Sequence, residues 1–245
     1  MTSFRRDLRH ALRFLRLSPG FTFVAVLTLS LGVGANTAIF QLIDSIRLRT
    51  IPVKNPQELG TIRIADRHWG SGQFSSQYSE LTFAMWEQIR KRQEGFSEIA
   101  VWSDQQFNLA MGGEVRKAKG IRVSGGFFHV LGVEPILGRV FGPEDDQPGC
   151  SMSGANISFA FWWQNFAGDP SVVGKRLTLD GNSFQVIGVT PPGFNGISIG
   201  DTFDVAVPIC VEPMIHPRNN RLTMRHAWWL ASIGRLKPGW TIARA

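Results

Sequence analysis

The residues able to move a proton, hold a metal or attack a substrate are scattered through this 245-residue chain. The five histidines, His10, His68, His129, His216 and His226, are dispersed, and no two share ligand spacing. Cys210 with His216 and His226 is the nearest thing to a metal set. Glu144-Asp145-Asp146 gathers carboxylates but lacks the alternating oxygen donors of a calcium loop, so it reads as a solvated turn. Gly149-Cys150-Ser151-Met152-Ser153-Gly154 misses the spacing of a nucleophile elbow and has no histidine nearby. Gly168 to Arg176 imitates a phosphate loop, yet five residues separate its glycines and Arg176 stands where a hydroxyl must hold magnesium. It reads as a turn before a strand. We therefore assign no catalytic, cofactor-binding or metal-binding residue and expect a protein that is not an enzyme and needs no cofactor.

The elements that would position such residues begin with a stretch that carries no charge. From Ser18 to Ile43 every side chain is apolar, small or neutral. As a helix, Phe21 to Ile43 reaches roughly 35 Å, enough to cross a hydrocarbon core of about 30 Å. Ser18 can cap it, and Pro19 suits the first helical position, where no N–H is needed. Asp44, Arg47 and Arg49 mark its end, because they cannot cheaply enter lipid. Gly32-Val33-Gly34 lies inside this span with no strand before it, which suits helix packing in a membrane better than a dinucleotide loop.

Arg5, Arg6, Arg9, Arg13 and Arg16 precede the span against a single acid, Asp7, leaving about +4 on the short tail. Lysine and arginine beside a span mark the cytoplasmic side, so these five arginines set the topology and place everything after Asp44 outside the cytoplasm. Phe4, Leu8, Ala11, Leu12 and Leu15 recur at helical spacing among the arginines, as in a helix lying at the lipid headgroups. A rival reading of the same stretch is a secretory signal peptide cut near Gly34 or Ala35. The resumption of apolar residues from Ala38 to Ile43 favours the anchor. Either reading exports the rest of the chain.

The formal net charge is +7, most of it in the tail, so the exported part is only mildly basic. Nucleic acid is excluded as a partner: Trp162-Trp163 and Trp228-Trp229 have no interleaved basic residues and read as core aromatics. Cys150 and Cys210 lie in a compartment that permits disulfides, and their positions alone neither require nor forbid a bridge.

About 200 residues remain for one large exported domain or two small ones. Ile51 to Pro56 reads as an extended connector, Leu59 to Ala65 as a short strand, and Arg67 to Gln77 as a polar loop. A helix capped by Ser79 runs toward Gly95 through Leu81, Met85, Trp86 and Ile89. Phe107 to Met111, the Gly112-Gly113 turn and the return through Val123 form a hairpin. Phe127 to Leu131 is a short helix closed by Gly132. The loop Gly142 to Gly149 is the expected internal boundary. Ile157 to Phe166 reads as a helix, and Arg176 to Asp180 with Ser183 to Thr190 as a second hairpin, buried on both faces of its return strand. Phe203 to Ile209 and Trp228 to Leu236 are strands, and Pro213 to Thr223 is a loop. The chain stops at Ala245, where Thr241 could cap a new helix, and we read this as a fragment or an early stop.

Several segments, in this order, resemble the MacB-like and FtsX-like permeases of ABC transporters, especially the duplicated permeases of the acidobacterial branch. They are Asp7 to Arg13, Ser18 to Thr22, Leu31 to Phe40, Phe127 to Pro135 with Leu137-Gly138-Arg139, Gly168 to Lys175, Val186 to Phe194, and Gly234 to Gly239. The resemblance implies an α+β fold: one N-terminal transmembrane helix followed by a two-lobed mixed α/β extracytoplasmic core domain. It divides the chain into a cytoplasmic amphipathic basic helix (1–17), a transmembrane helix (18–45) and a periplasmic core domain (46–245). The inner lobe takes 46–141 and 225–245, and the outer lobe 142–224. It implies a non-catalytic permease component of an export or mechanotransmission system in the inner membrane. Its implied partners are a cytoplasmic ABC ATPase subunit, the remaining permease helices or a second permease copy, and the lipid bilayer. The later membrane helices of the family are lacking here. Two other classes stay open on the residues: a secreted or membrane-anchored solute-binding module, and an extracytoplasmic hydrolase with an unfamiliar constellation.

Overall fold

The computed structural model describes residues 10, 13, 15–47, 53–64, 73–74, 81–109, 116–147, 150, 154–197 and 202–244. It divides into two compact units, residues 1–49 and 50–245. The first holds helix α1 (Pro19–Arg47). Ser18 interrupts the helical residues 15–17 before it, and Pro19 opens it as its locked φ allows. Pro19–Gln41 is long and apolar enough to cross a membrane. The hydroxyls of Thr28 and Thr37 donate to the carbonyls of Val24 and Val33, at 2.7 and 2.8 Å, so neither leaves a bare polar group on the apolar surface. The helix continues past Asp44 to Arg47, a few residues beyond the charge that was expected to end it.

In the second unit the chain runs through β1 (Leu59–Gly60), β2 (Gln73–Phe74), α2 (Phe83–Arg92), β3 (Phe96–Asn108), β4 (Lys117–Val123), α3 (Phe127–Leu131) and β5 (Leu137–Gly138). Then come β6 (Gly154–Ile157), α4 (Phe159–Phe166), β7 (Arg176–Leu179), β8 (Asn182–Val189), β9 (Val205–Pro208), α5 (Glu212–Ile215), β10 (Ala227–Trp228) and β11 (Ala231–Leu236). Nine strands form one mixed sheet in the order β1-β11-β3-β4-β9-β6-β8-β5, with β7 beside β5 on the free edge of β8. The pairs β4–β9 and β6–β8 are parallel; the others in this sheet are antiparallel. The fold is therefore α+β with a mixed sheet, as the pattern of short helices and strands predicts.

Three buried clusters hold this unit together. Phe127, Phe128 and Leu131 of α3 pack with Phe141, Phe194 and Phe203. Phe107, Phe161 and Trp162 meet Phe184 and Val186 of β8 and Val205 and Val207 of β9. Trp86 of α2 meets Ile99, Val101, Ile209 and Trp229. The return strand β8 was expected to be buried on both faces and is buried on one: Phe184 and Val186 lie in the second cluster, whereas on the other face Ser183 and Gln185 are exposed and Ile187 is half-buried against the first cluster.

Several boundaries move. Helix α2 is capped by Thr82, whose hydroxyl accepts from the Met85 amide at 3.3 Å; Ser79 and Glu80 lie outside the described residues. Leu81, expected in the helix, instead bridges Leu230. Strand β3 starts eleven residues before Phe107, at Phe96, since its first half pairs with β11 and only its second half with β4. The Gly112-Gly113 turn falls outside the described residues. Ile157 ends a buried strand and does not begin a helix. Ser158 follows it and accepts from the Phe161 amide at 3.1 Å, starting α4. Gln73–Phe74, expected in a loop, pairs in parallel with Ala227–Trp228, and this pairing separates β10 from β11. Strand β1 is two residues long where seven were expected. The expected loop Pro213 to Thr223 begins as a helix, since α5 runs from Glu212 to Ile215, and residues 242–244 form a turn after Thr241.

Candidate functional site

Arg122 lies in β4 between Ile121 and Val123, opposite Ser103 of β3 and in register with Val207 of β9. Its side chain points into the interior and is fully buried. Strand β9 ends in a 3-10 turn, Ile209–Val211, which delivers Glu212 at the start of α5, also fully buried. One guanidinium nitrogen of Arg122 donates to Glu212 Oε2, and the other donates to Ser103 Oγ at 2.8 Å. The ring of Trp229 stacks on the guanidinium at 4.6 Å. Arg221 Nε lies 3.8 Å from the other carboxylate oxygen, and His216 Nδ1 lies 3.2 Å from Oε2. Burial pulls the Arg122 pKa below the ordinary arginine value, and the neighbouring Glu212 carboxylate opposes that shift.

This constellation has no mobile nucleophile, and its acid is already committed to its base. What it can do is mechanical. It ties β3, β4 and β9 to α5 across the parallel β4–β9 seam, where the sheet passes from strands early in the sequence to later ones. Separating the two charges would leave Arg122 buried without its carboxylate and Glu212 with only Arg221 and His216 beside it, which costs several kcal/mol.

A second polar cluster lies where the chain leaves β5. Arg139 grips Asp145 through two bonds of 2.6 and 2.8 Å, and Asp145 also accepts from the Gly142 amide at 2.9 Å. Burial works against the ionised Asp145, but these bonds prevail and hold its pKa below the usual carboxylate value. Asp146 is mostly enclosed, which pushes its pKa up to about 6. The triplet Glu144-Asp145-Asp146 is therefore not the solvated turn expected of it: only Glu144 faces water, because the 3-10 turn Pro143–Asp146 rolls the two aspartates inward.

Cys150 and Cys210 are joined by a disulfide, with Cα atoms 5.7 Å apart. It fastens the segment after Asp146 to the turn that presents Glu212. Of the topology-setting arginines, Arg13 and Arg16 are exposed beside α1; Arg5, Arg6 and Arg9 lie outside the described residues. The phosphate-loop imitation is a turn, with the Asp169 carboxylate accepting from the Ser171 amide at 2.8 Å and paired with Lys175. Among the described residues no three of His, Cys, Asp and Glu converge as a metal set. Sequence reasoning did not single out Arg122, Glu212, Trp229 or the individual role of Asp146. The available signal was a lone charge inside an apolar run, Ile121-Arg122-Val123 and Cys210-Val211-Glu212.

An extracytoplasmic type of α+β domain behind a membrane-length helix, stiffened by a buried ion pair and a disulfide, is the class these features define. The chain belongs to the MacB-like periplasmic core domain family, whose model matches residues 22–245. It is the periplasmic domain of a MacB-like ABC transporter permease, with an apolar helix ahead of it. Its fold is similar to that of the periplasmic region of MacB from Actinobacillus actinomycetemcomitans, with a TM-score of 0.54, 13% identity and 76% of each chain covered. Two further structures align with lower scores. The extracellular domain of the noncanonic ABC-type transporter YknZ from Gram-positive bacteria gives a TM-score of 0.48 at 16% identity, covering 74% of this chain and 83% of that one. A domain of a permease protein from Porphyromonas gingivalis gives 0.48 at 19% identity, covering 67% and 72%. No curated protein sequence matches the chain.

Proposed function

We propose that this chain is a non-catalytic permease component of an ABC-type export or mechanotransmission system. Helix α1 anchors it in the inner membrane, and residues 46–245 work in the periplasm. The observation that carries this reading is the span of the family match, which begins inside α1 at residue 22 and runs through the whole sheet, so helix and domain form one family unit. The partners are a cytoplasmic ABC ATPase subunit and further permease helices or a second permease copy. The ATPase supplies the work; this chain contributes a shaped, stiff body outside the membrane. The buried Arg122–Glu212 tie suits that role because it crosses the β4–β9 seam, and the Cys150–Cys210 bridge because it stiffens the strands on the β9 side of that seam. On this reading the inner lobe, 46–141 and 225–245, would hold β1, β11, β3 and β4, and the outer lobe, 142–224, would hold β9, β6, β8 and β7; β5 falls within the inner-lobe range but pairs with β8 of the outer.

The test is expression in a Gram-negative host, fractionation and measurement of the N-terminal mass of the product. An intact chain that resists alkaline extraction from the inner membrane is the expected result, with the ATPase recovered by crosslinking at the cytoplasmic face. A soluble periplasmic product beginning near Ala35 would overturn the anchored reading in favour of a secreted binding module.

A further inference from the structure

Helix α2, the start of β3, the turn at residues 124–126 and the 3-10 turn Pro143–Asp146 enclose a cleft of about 240 Å³. Trp86 and Arg90 line it from α2, Glu98 from β3 and Asp146 from the fourth side. The two carboxylates converge. Asp146 accepts from the Gly125 amide, and a Cβ on Gly126 would fall on Glu98 Oε1, so they reach neighbouring residues whose Cα atoms are about 3.8 Å apart. The cleft is smaller than the roughly 300–1,000 Å³ of pockets for drug-sized ligands and suits one head group with a short stem.

Neither carboxylate is hydrogen-bonded to a cation among the described residues. The Asp146 side chain is only 9% exposed, yet Arg90 Nη1, the one cation paired with it there, stands 3.9 Å away, beyond hydrogen-bond reach. Glu98 has no hydrogen bond or ion pair with any described residue. Arg235 is opposite Glu98 on β11, but its donors go to Glu58 and to the carbonyls of Lys54 and Val130. His129 of α3 acts on Glu98 only through its charge. Glu87 on α2 adds to the negative charge at Asp146. Beside it, Asp145 is taken up by Arg139, and Glu144 stands 4.0 Å from that same arginine. The serines are committed too: Ser97 Oγ donates to the Arg235 carbonyl, and Ser124 Oγ accepts from the Val101 amide. What the cleft leaves unmet is negative charge.

We propose that this cleft binds a protonated amine, its ammonium between Glu98 and Asp146 and its hydrocarbon stem along Trp86. The sign of the charge excludes an anion. Two carboxylates alone make no metal cage, and among the described residues no three of His, Cys, Asp and Glu converge. An alkylammonium head is compact and carries three donors, so it can serve both carboxylates at once. Arg90 shows what the Trp86 wall attracts: its guanidinium carbon lies 5.6 Å from the ring centroid. Burial raises the pKa of both carboxyls, that of Asp146 to about 6. A bound cation favours their ionised forms, so the amine binds more tightly as pH rises through about 6 and is lost as pH falls below it. Free diamines and the lysine side chains of a partner both carry this head group. The site goes beyond the permease role and does not depend on how the chain is anchored.

Calorimetric titration of the full chain in micelles of an uncharged detergent tests the site. Cadaverine is the probe, the matching diol its neutral control, and acetylated lysine amide the stand-in for a protein side chain. Cadaverine is expected to saturate at one per chain and the diol not to bind. From pH 5 to pH 7 the affinity should rise about tenfold, the gain in ionised Asp146 for a pKa of about 6. Asp146→Asn and Glu98→Gln should each weaken binding by about tenfold or more. Arg90→Met removes a competing cation and should tighten it severalfold, which decides the matter if the asparagine variant does not fold. Saturation by the lysine amide as well assigns the site to a partner's side chain; saturation by cadaverine alone assigns it to a free amine. No saturation, equal heat from the diol, an affinity indifferent to both carboxylate substitutions, or weaker binding in Arg90→Met would overturn the proposal.

Discussion

The interior of this domain accepts an arginine because both terminal nitrogens of Arg122 and the plane of its guanidinium meet partners. Ser103 and Glu212 take its donors, and the face of Trp229 covers its plane. The satisfaction is incomplete: Arg122 Nε and Glu212 Oε1 lack hydrogen-bond partners. The pair therefore acts more as a constraint than as a source of net stability, and the two kinds of substitution should separate these roles. Arg122→Met alone leaves Glu212 buried beside only Arg221 and His216, and should lower the unfolding free energy by about 3–5 kcal/mol. Arg122→Met with Glu212→Leu should recover most of that loss. Denaturant unfolding checks both, read as midpoints at unchanged slope. Arg139→Ala serves as the comparison: its guanidinium is half exposed although Asp145 is mostly buried, so its loss should cost less than that of Arg122. None of this was legible residue by residue. A charge inside an apolar run announces a buried partner, but the sequence does not say which of the 19 acids it is, since Arg122 and Glu212 stand 90 residues apart.

At the scale of elements, legibility followed locality. Helix α3 was readable because its stop is local: Gly132 takes φ 67°, and its amide turns back to the carbonyls of Phe128 and His129. The β7–β8 hairpin was readable for the same reason, its turn closing through Asp180 and Gly181 at positive φ. Strand β6 and the first half of β3 were not, because their states are set by distant partners. Gly154 to Ile157 is a strand only because β8 and β9 flank it, and four residues, Gly-Ala-Asn-Ile, carry no period of their own. Edge strand β5 shows how narrow such a placement is. Gly138 has φ 67°, and a Cβ there would lie 2.1 Å from the Ile187 carbonyl oxygen. Gly138→Ala should therefore pull β5 from β8 and lower stability by about 2–3 kcal/mol. Exchange should rise first at Ile136 and Arg139, whose amides bond to Val189 and Ile187. A uniform loss across the sheet would mean instead that β5 unfolds only with the whole domain.

For the whole molecule, the membrane-length helix and the separate domain behind it were legible from charge and length, whereas the single continuous sheet was not. Strand order depends on pairings such as β4 with β9, which join residues about 85 apart and leave no mark on either segment. The disulfide has the same long reach, and that reach predicts how the domain comes apart. Cys150 and Cys210 close a loop with a sequence separation of 60. In the chain-entropy account such a closure is worth about 4 kcal/mol, drawn almost wholly from the unfolded freedom of the segment it encloses. That segment contains β6, α4, β7, β8 and β9, most of the proposed outer lobe. The inner strands β3, β4 and β11 lie outside the loop and keep their own pairings when it opens. Cys150→Ser with Cys210→Ser should therefore destabilise residues 154–208 more than residues 96–123. Calorimetry should show one transition resolving into two, and exchange should place the earlier one in β6 to β9. A single transition that merely shifts to lower temperature would show that the Arg122–Glu212 tie and the β4–β9 ladder already couple the lobes too strongly to melt separately.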